Sequence, residues 1–346
     1  MLKIYDKENM FDSIWNFPKN LKNAMVIGDR IDLKNDYSHI QNIVIAGMGG
    51  SAIGGDIVSV LESSNIRIPY VVCRDYSIPE WANSHSLVIC SSYSGNTEET
   101  ISAFYNSIKR GASICGITTG GTLLSLLIEH KRDYIKIPSG LQPRAAVAFS
   151  FIPIIKLLEK AGLIQADLNL WIEKSVNALE QNRIVFSNEG IENPVYQLAR
   201  KIYKKIPIIY SDTSSMRVNA IRLKGQINEN GKMLAYCNDL PELNHNEIVG
   251  WQNNPEIFKH LCVLWLEDKS DNDRTKIRKN ITEDILHEVN ISQYSIKIIG
   301  ESFQQRFLNM IHYGDWLSFW CAILHETDPS PVEKIVRLKN ELSKKV

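Results

Sequence analysis

The sequence predicts an α/β protein of two tandem, doubly wound, mainly parallel-sheet subdomains, each a three-layer αβα arrangement. Three observations lead there. Short β-branched runs alternate with longer helical stretches from Ile43 onward. The alternation pauses over residues 161–192 and restarts near Val195. Two loops of small residues follow strand candidates about forty residues apart, at the carboxyl ends where parallel sheets gather ligands.

The elements follow in order. Residues 1–40 read as a helical lead-in, polar and aromatic, with no assignable chemistry. Strand candidates are Ile43–Ala46, Tyr70–Cys73, Leu87–Cys90, Ser113–Thr118 and Tyr134–Ile137. Helices are expected from near Ser51, Thr97 and Thr122, and over Val147–Lys160. The second half supplies strands at Ile206–Tyr210, Met233–Tyr236, Leu261–Leu266 and Ser295–Ile299. Its helices are expected at Val195–Lys204, Arg217–Asn228, Arg274–His287 and from Phe303 to about His325. The expected division is a lead-in at 1–40, a first subdomain at 41–165, a helical connection at 166–192 and a second subdomain at 193–346. The second copy lacks the glycine-rich turn, and Tyr210-Ser211-Asp212-Thr213-Ser214-Ser215 is a faint echo of the serine cluster.

Composition narrows the class. With 346 residues, 44% hydrophobic and 23% charged, the chain can bury a full core. Its 39 basic and 39 acidic residues argue against nucleic acid or an anionic membrane as the main partner, so any anion must be met by a local site. The six cysteines never form a CxxC pair and read as reduced, buried thiols. The amino end lacks a signal-peptide apolar region, and Ser150, Pro153 and Lys156 interrupt the most apolar stretch, Ala145 to Leu158. A cytoplasmic location is therefore expected.

The first loop, Gly47-Met48-Gly49-Gly50-Ser51-Ala52, fits the opening of a dinucleotide-binding unit. That reading expects a ribose-binding acid about twenty positions on. Glu62 falls inside the expected helix, and Asp75 comes late and follows Arg74. The second loop, Ser91-Ser92-Tyr93-Ser94-Gly95-Asn96-Thr97, runs into Glu98-Glu99, so Thr97 is expected to cap a helix. One cap needs one hydroxyl, and the surplus favours an anion. With no P-loop lysine or magnesium carboxylates, that anion is a monophosphate held as a handle and not transferred.

The Ser-x-Ser-Gly-x-Thr loop, one unit after a glycine-rich loop, resembles the sugar isomerase (SIS) domain family. Further segments resemble its bifunctional phosphoglucose/phosphomannose isomerases: Pro143-Arg144, Gly225-Gln226-Ile227-Asn228-Glu229-Asn230, Leu243 through Trp251, and Glu326-Thr327-Asp328-Pro329 through Lys334. The resemblance runs from about residue 40 onward in the expected order, and the lead-in departs from it. It implies Glu229 as the carboxylate that moves a proton between C1 and C2, and Glu229 also ends an apparent helix before Gly231. His245 is implied for ring opening, a task that suits an imidazole titrating near neutrality. In this family that histidine comes from the partner subunit, so a homodimer is implied. Lys334 is implied to assist at the ring oxygen and Arg144 to stabilise the enediolate. Gly49, the Gly50 amide, Ser51, Ser92, Ser94 and Thr97 would hold the phosphate, and Thr327 would leave room for either C2 epimer.

The expected activity is a cofactor-free, metal-independent isomerisation of glucose 6-phosphate and mannose 6-phosphate to and from fructose 6-phosphate. Two rivals stay open. SIS-like modules also serve as sugar-phosphate sensors, although no basic helix-turn-helix segment is apparent. An enzyme acting on amino-sugar phosphates is the other, without the amino-terminal cysteine nucleophile of the synthase form.

Overall fold

The computed structural model describes residues 2–345. The chain divides into two compact units, Asn16–Ala178 with Ser302–Gln305, and Met1–Trp15 with Leu179–Glu301 and Arg306–Val346. In chain order, helices α1 (Leu2–Tyr5) and α2 (Met10–Trp15) come before α3 (Phe17–Asp29).

The first-sheet unit then alternates β1 (Asn42–Ala46), α4 (Gly49–Leu61), β2 (Tyr70–Cys73), β3 (Ser86–Ser92), α5 (Glu98–Lys109), β4 (Ser113–Thr118), α6 (Gly121–Glu129) and β5 (Asp133–Lys136). A 3-10 turn at Pro143–Ala145 leads into α7 (Ala148–Lys160), and α8 (Leu168–Phe186) follows. The strands are parallel in the order β2-β1-β3-β4-β5. Every residue of β3 is buried, as expected of a central parallel strand covered on both faces. Ala46 lies opposite Cys90, so the loops leaving β1 and β3 emerge side by side at the carboxyl edge, where the order reverses.

The second-sheet unit repeats the pattern with α9 (Pro194–Ile202), β6 (Ile206–Asp212), α10 (Arg217–Glu229) and β7 (Tyr236–Leu240). Then come α11 (Pro255–Phe258), β8 (Leu261–Glu267), α12 (Asp273–Glu288), β9 (Ser292–Lys297), α13 (Phe303–Leu324) and α14 (Glu333–Leu342). Its parallel order is β7-β6-β8-β9, the same winding as the first four strands of the other sheet. Two expected strands shift. The strand expected at Met233–Tyr236 runs Tyr236–Leu240, and the one expected at Ser295–Ile299 runs Ser292–Lys297. Both are edge strands, and the apolar residues that attracted those expectations, Leu234 and Ile299, are exposed.

Helix α13 is apolar on nearly all sides and is the core of this unit, with Trp316 and Trp320 fully buried. It draws in α2, where Phe11 packs edge-on to Trp316 at 5.0 Å and to Phe319 at 5.7 Å, and Arg183 of α8 lies over the Trp15 ring at 4.4 Å. Arg222 of α10 makes two bonds to buried Asp315 of α13, at 2.8 and 2.9 Å, and Gln226 Nε2 adds a third at 2.7 Å. Burial raises the Asp315 carboxyl, while these donors pull the other way.

The carboxyl ends of β6 and β8 are acidic. Asp212, Asp268 and Asp271 are all buried there. Asp212 accepts from the Ser214 amide at 2.8 Å, Asp271 from the Asp268 amide at 2.8 Å, and Arg306 grips Asp268 through Nε at 2.6 Å and Nη2 at 2.8 Å. Burial works against the Asp268 charge, but Arg306 and Ser270 bring its carboxyl below the usual range. Burial, with Asp212 and Asp268 nearby, raises Asp271.

The expectation of buried thiols needs correction at two positions: Cys90, Cys115, Cys262 and Cys321 are buried, whereas Cys73 and Cys237 are half-buried. Among the described residues no helix is long and apolar enough to cross a membrane.

Candidate active site

In the first-sheet unit, two turns at the carboxyl ends of β1 and β3 form a cradle. Helix α4 begins at Gly49 with no acidic residue in its first turn, so its positive end keeps its field. The Ser51 hydroxyl accepts from the Tyr93 amide at 3.2 Å, which joins the two turns. Ser92 Oγ accepts from the Gly95 amide at 3.1 Å, and Ser94 Oγ from the Asn96 amide at 3.2 Å.

Thr97 departs from its expected capping role. It sits at the N-cap of α5, but its side chain makes no capping bond; its Oγ1 pairs with Ser92 Oγ at 2.9 Å. The hydroxyls therefore build the turn by accepting backbone amides. Ser51 and Ser94 each keep an O–H to donate outward, and the Ser92–Thr97 pair keeps one between them. Hydroxyl donors on two joined turns beside a helix amino end suit a phosphate dianion.

A third turn backs the second. Gly95 has φ +70°, and a Cβ there would lie 1.8 Å from the Gly120 carbonyl oxygen. Arg144 lies in the 3-10 turn at Pro143–Ala145 and is buried. As for a ribose-binding acid, β2 ends at Cys73-Arg74, and Arg74 is paired with Asp56.

The second-sheet unit holds the other candidates. Glu229 is the last residue of α10 and is half-buried. Lys232, in the left-handed region at φ 53°, donates Nζ to the Glu229 carbonyl and, at 2.9 Å, to the Pro329 carbonyl. The end of α10 is thus tied to the turn containing Thr327, whose Oγ1 donates to the His325 carbonyl at 3.0 Å. His245 ends a 3-10 turn, Glu242–His245, with its side chain exposed. That turn is anchored by buried Leu243 and by Asn244 Nδ2 donating to Thr282 Oγ1 at 2.9 Å. Lys334 is exposed in the first turn of α14.

Comparison with known proteins decides the family. A model of the bacterial phospho-glucose isomerase C-terminal SIS domain matches residues 191–342. The bifunctional phosphoglucose/phosphomannose isomerase of Caldicellulosiruptor bescii is 43% identical over 336 residues, covering 96% of this chain and 99% of its own length. The protein of the same name from Aquifex aeolicus is 37% identical over 314 residues, with 90% and 94% covered. The chain belongs to the bifunctional phosphoglucose/phosphomannose isomerase family. A hypothetical protein of Thermus thermophilus shares the fold at a TM-score of 0.73 and 15% identity, over 97% of this chain and 90% of that one.

Within this isomerase family member, Gly49, Gly50, Ser51, Ser92, Ser94, Thr97 and Arg144 fall in the first-sheet unit. Glu229, His245, Thr327 and Lys334 fall in the second-sheet unit. Sequence reasoning passed over two residues that organise these sets. Tyr93 stands among the serines without a motif signature, and Lys232 looks like any surface lysine. A lysine directly after Gly231, at the foot of a helix, was the available hint for the second.

Proposed function

We propose that the protein is an aldose–ketose isomerase that interconverts glucose 6-phosphate and mannose 6-phosphate with fructose 6-phosphate. The observation that carries this reading is the 43% identity along nearly the whole chain to an isomerase of that double specificity. The cradle chemistry supports it, because hydroxyl donors beside the unneutralised start of α4 match a monoester used as a handle.

Ser51, Ser94, the Ser92–Thr97 pair and the amides of Gly49 and Gly50 hold the phosphate. His245 and Lys334 open the ring: the anomeric hydroxyl gives up its proton as the bond between the anomeric carbon and the ring oxygen breaks, and the ring oxygen takes a proton and becomes the free C5 hydroxyl. Glu229 takes the proton from C2 of the aldose and returns it at C1, and Arg144 balances the enediolate charge between those steps. Thr327 presents a small side chain toward C2, so either epimer reaches the same enediolate. Two chains form a dimer in which each His245 serves the other chain's site, and the enzyme works in the cytoplasm.

The test is a coupled assay for fructose 6-phosphate from each hexose 6-phosphate, on purified, metal-chelated protein. Glu229→Gln should retain fold and substrate binding and lose several orders of magnitude in kcat; near wild-type turnover would remove the base. His245→Ala should be damaged less on open-chain substrate. Mixing Glu229→Gln chains with His245→Ala chains should restore up to about a quarter of wild-type activity, because half the dimers are mixed and each holds one intact site. No recovery would rule out the shared site.

A further inference from the structure

We propose that Tyr93 is a positioning residue that sets the Arg144 segment against the phosphate cradle. The inference rests on the reading of Arg144 as the group that balances the enediolate.

Tyr93 touches three separate turns of the first-sheet unit. Its amide donates to Ser51 Oγ at 3.2 Å, and its carbonyl accepts from the Thr119 amide at 3.2 Å and from Thr119 Oγ1 at 2.8 Å. Its phenol oxygen accepts from the Leu141 amide at 3.0 Å. The first two contacts are made by backbone and survive any side-chain change. The third belongs to the phenol alone, and it falls three residues before Arg144.

That stretch has little regular structure to fix it. Between the end of β5 and the 3-10 turn at Pro143–Ala145 the backbone is irregular, and Gly140 has φ +97°. On its far side the segment lies against the first turn, where a Cβ on Gly50 would sit 2.9 Å from the Pro143 carbonyl oxygen. A guanidinium aimed at a delocalised oxyanion must be placed to within a fraction of an ångström, and small misplacements are felt in the chemical step before they are felt in binding. The phenol therefore acts on kcat through Arg144, while the phosphate grip stays intact.

Tyr93→Phe keeps the ring and removes the acceptor. It should lower kcat about tenfold and leave KM within about twofold. Two probes separate positioning from general loosening, with affinities measured by calorimetry. Arabinonate 5-phosphate has a planar carboxylate that imitates the enediolate, whereas glucitol 6-phosphate offers the phosphate handle without it. Tyr93→Phe should weaken the aldonate about tenfold and spare glucitol 6-phosphate. In an Arg144→Met background it should cost the aldonate nothing further.

Equal weakening of both probes, or losses that add fully in the double variant, would overturn the proposal. If Arg144→Met itself spares the aldonate, the role of Arg144 falls and this inference with it. An aldonate loss in Arg144→Met that is absent from Tyr93→Phe would sink the role of Tyr93 alone.

Discussion

Asp133 shows how much one carboxylate can organise. It accepts from the Lys34 amide at 2.9 Å, from the Asn35 amide at 3.0 Å and side chain at 2.9 Å, and from the Tyr37 hydroxyl at 2.7 Å, pinning the segment before β1 to β5. Burial would raise this carboxyl, but the donors hold it below the ordinary range. A folded-state value below the unfolded one, about 3.9, gives stabilisation that is complete above that pH and fades as pH falls through the folded value. Asp133→Asn should cost about 1–3 kcal/mol at pH 7 by leaving a buried donor unmatched, and the gap from wild type should shrink below about pH 4 in denaturant titrations. Residue chemistry of this kind was only partly legible in the sequence. The surplus of Ser91, Ser92, Ser94 and Thr97 pointed to an anion because one cap cannot use four hydroxyls. Their amide partners, and the bond of Thr97 to Ser92 in place of a cap, depend on turn geometry that composition does not encode.

Helix α9 begins with an Asn-Pro pair that sequence rules read well. Buried Asn193 accepts from the Val195 amide at 2.9 Å and the Tyr196 amide at 3.2 Å, and donates to the Phe186 and Asn188 carbonyls at 2.8 and 2.7 Å. Asn193→Ala therefore loses a cap and the bond to the Asn188 carbonyl, while the Phe186 carbonyl keeps its bond from Trp320 Nε1 at 2.8 Å, and should cost about 1–3 kcal/mol, read as a lowered denaturation midpoint. Strands were legible where they are central. Runs such as Leu87-Val88-Ile89-Cys90 are apolar because helices cover both faces. Edge strands β7 and β9 escaped this signal. Tyr236-Cys237-Asn238-Asp239-Leu240 is half-polar, since one side of the strand has no neighbour. The apolar Met233-Leu234-Ala235 run beside it is a helix exit, where the Ala235 amide donates to Asn228 Oδ1 at 3.0 Å.

Across the whole molecule, burial ranks the thiols. It pushes Cys90 and Cys262 to about 12 and raises Cys115 and Cys321 as well. Disulfide-exchange titration of the native enzyme at pH 8 should therefore modify Cys73 and Cys237 first and reach the other four only on unfolding. The tandem winding was readable from the restart of the strand–helix rhythm near Val195, and so was the loss of the glycine turn from the second copy. What stands in its place was not, because Asp212 lies far in sequence from Asp268 and Asp271 and meets them only when β6 and β8 pair. Their concentration has a stoichiometric corollary. On the proposed reading the strand tips of the first-sheet unit take an oxyanion while the carboxylate-rich tips of the second-sheet unit offer it no comparable seat, so inorganic phosphate should saturate at a single equivalent per polypeptide in equilibrium dialysis. A second equivalent of similar strength would mean that the duplicated half has remained a receptor.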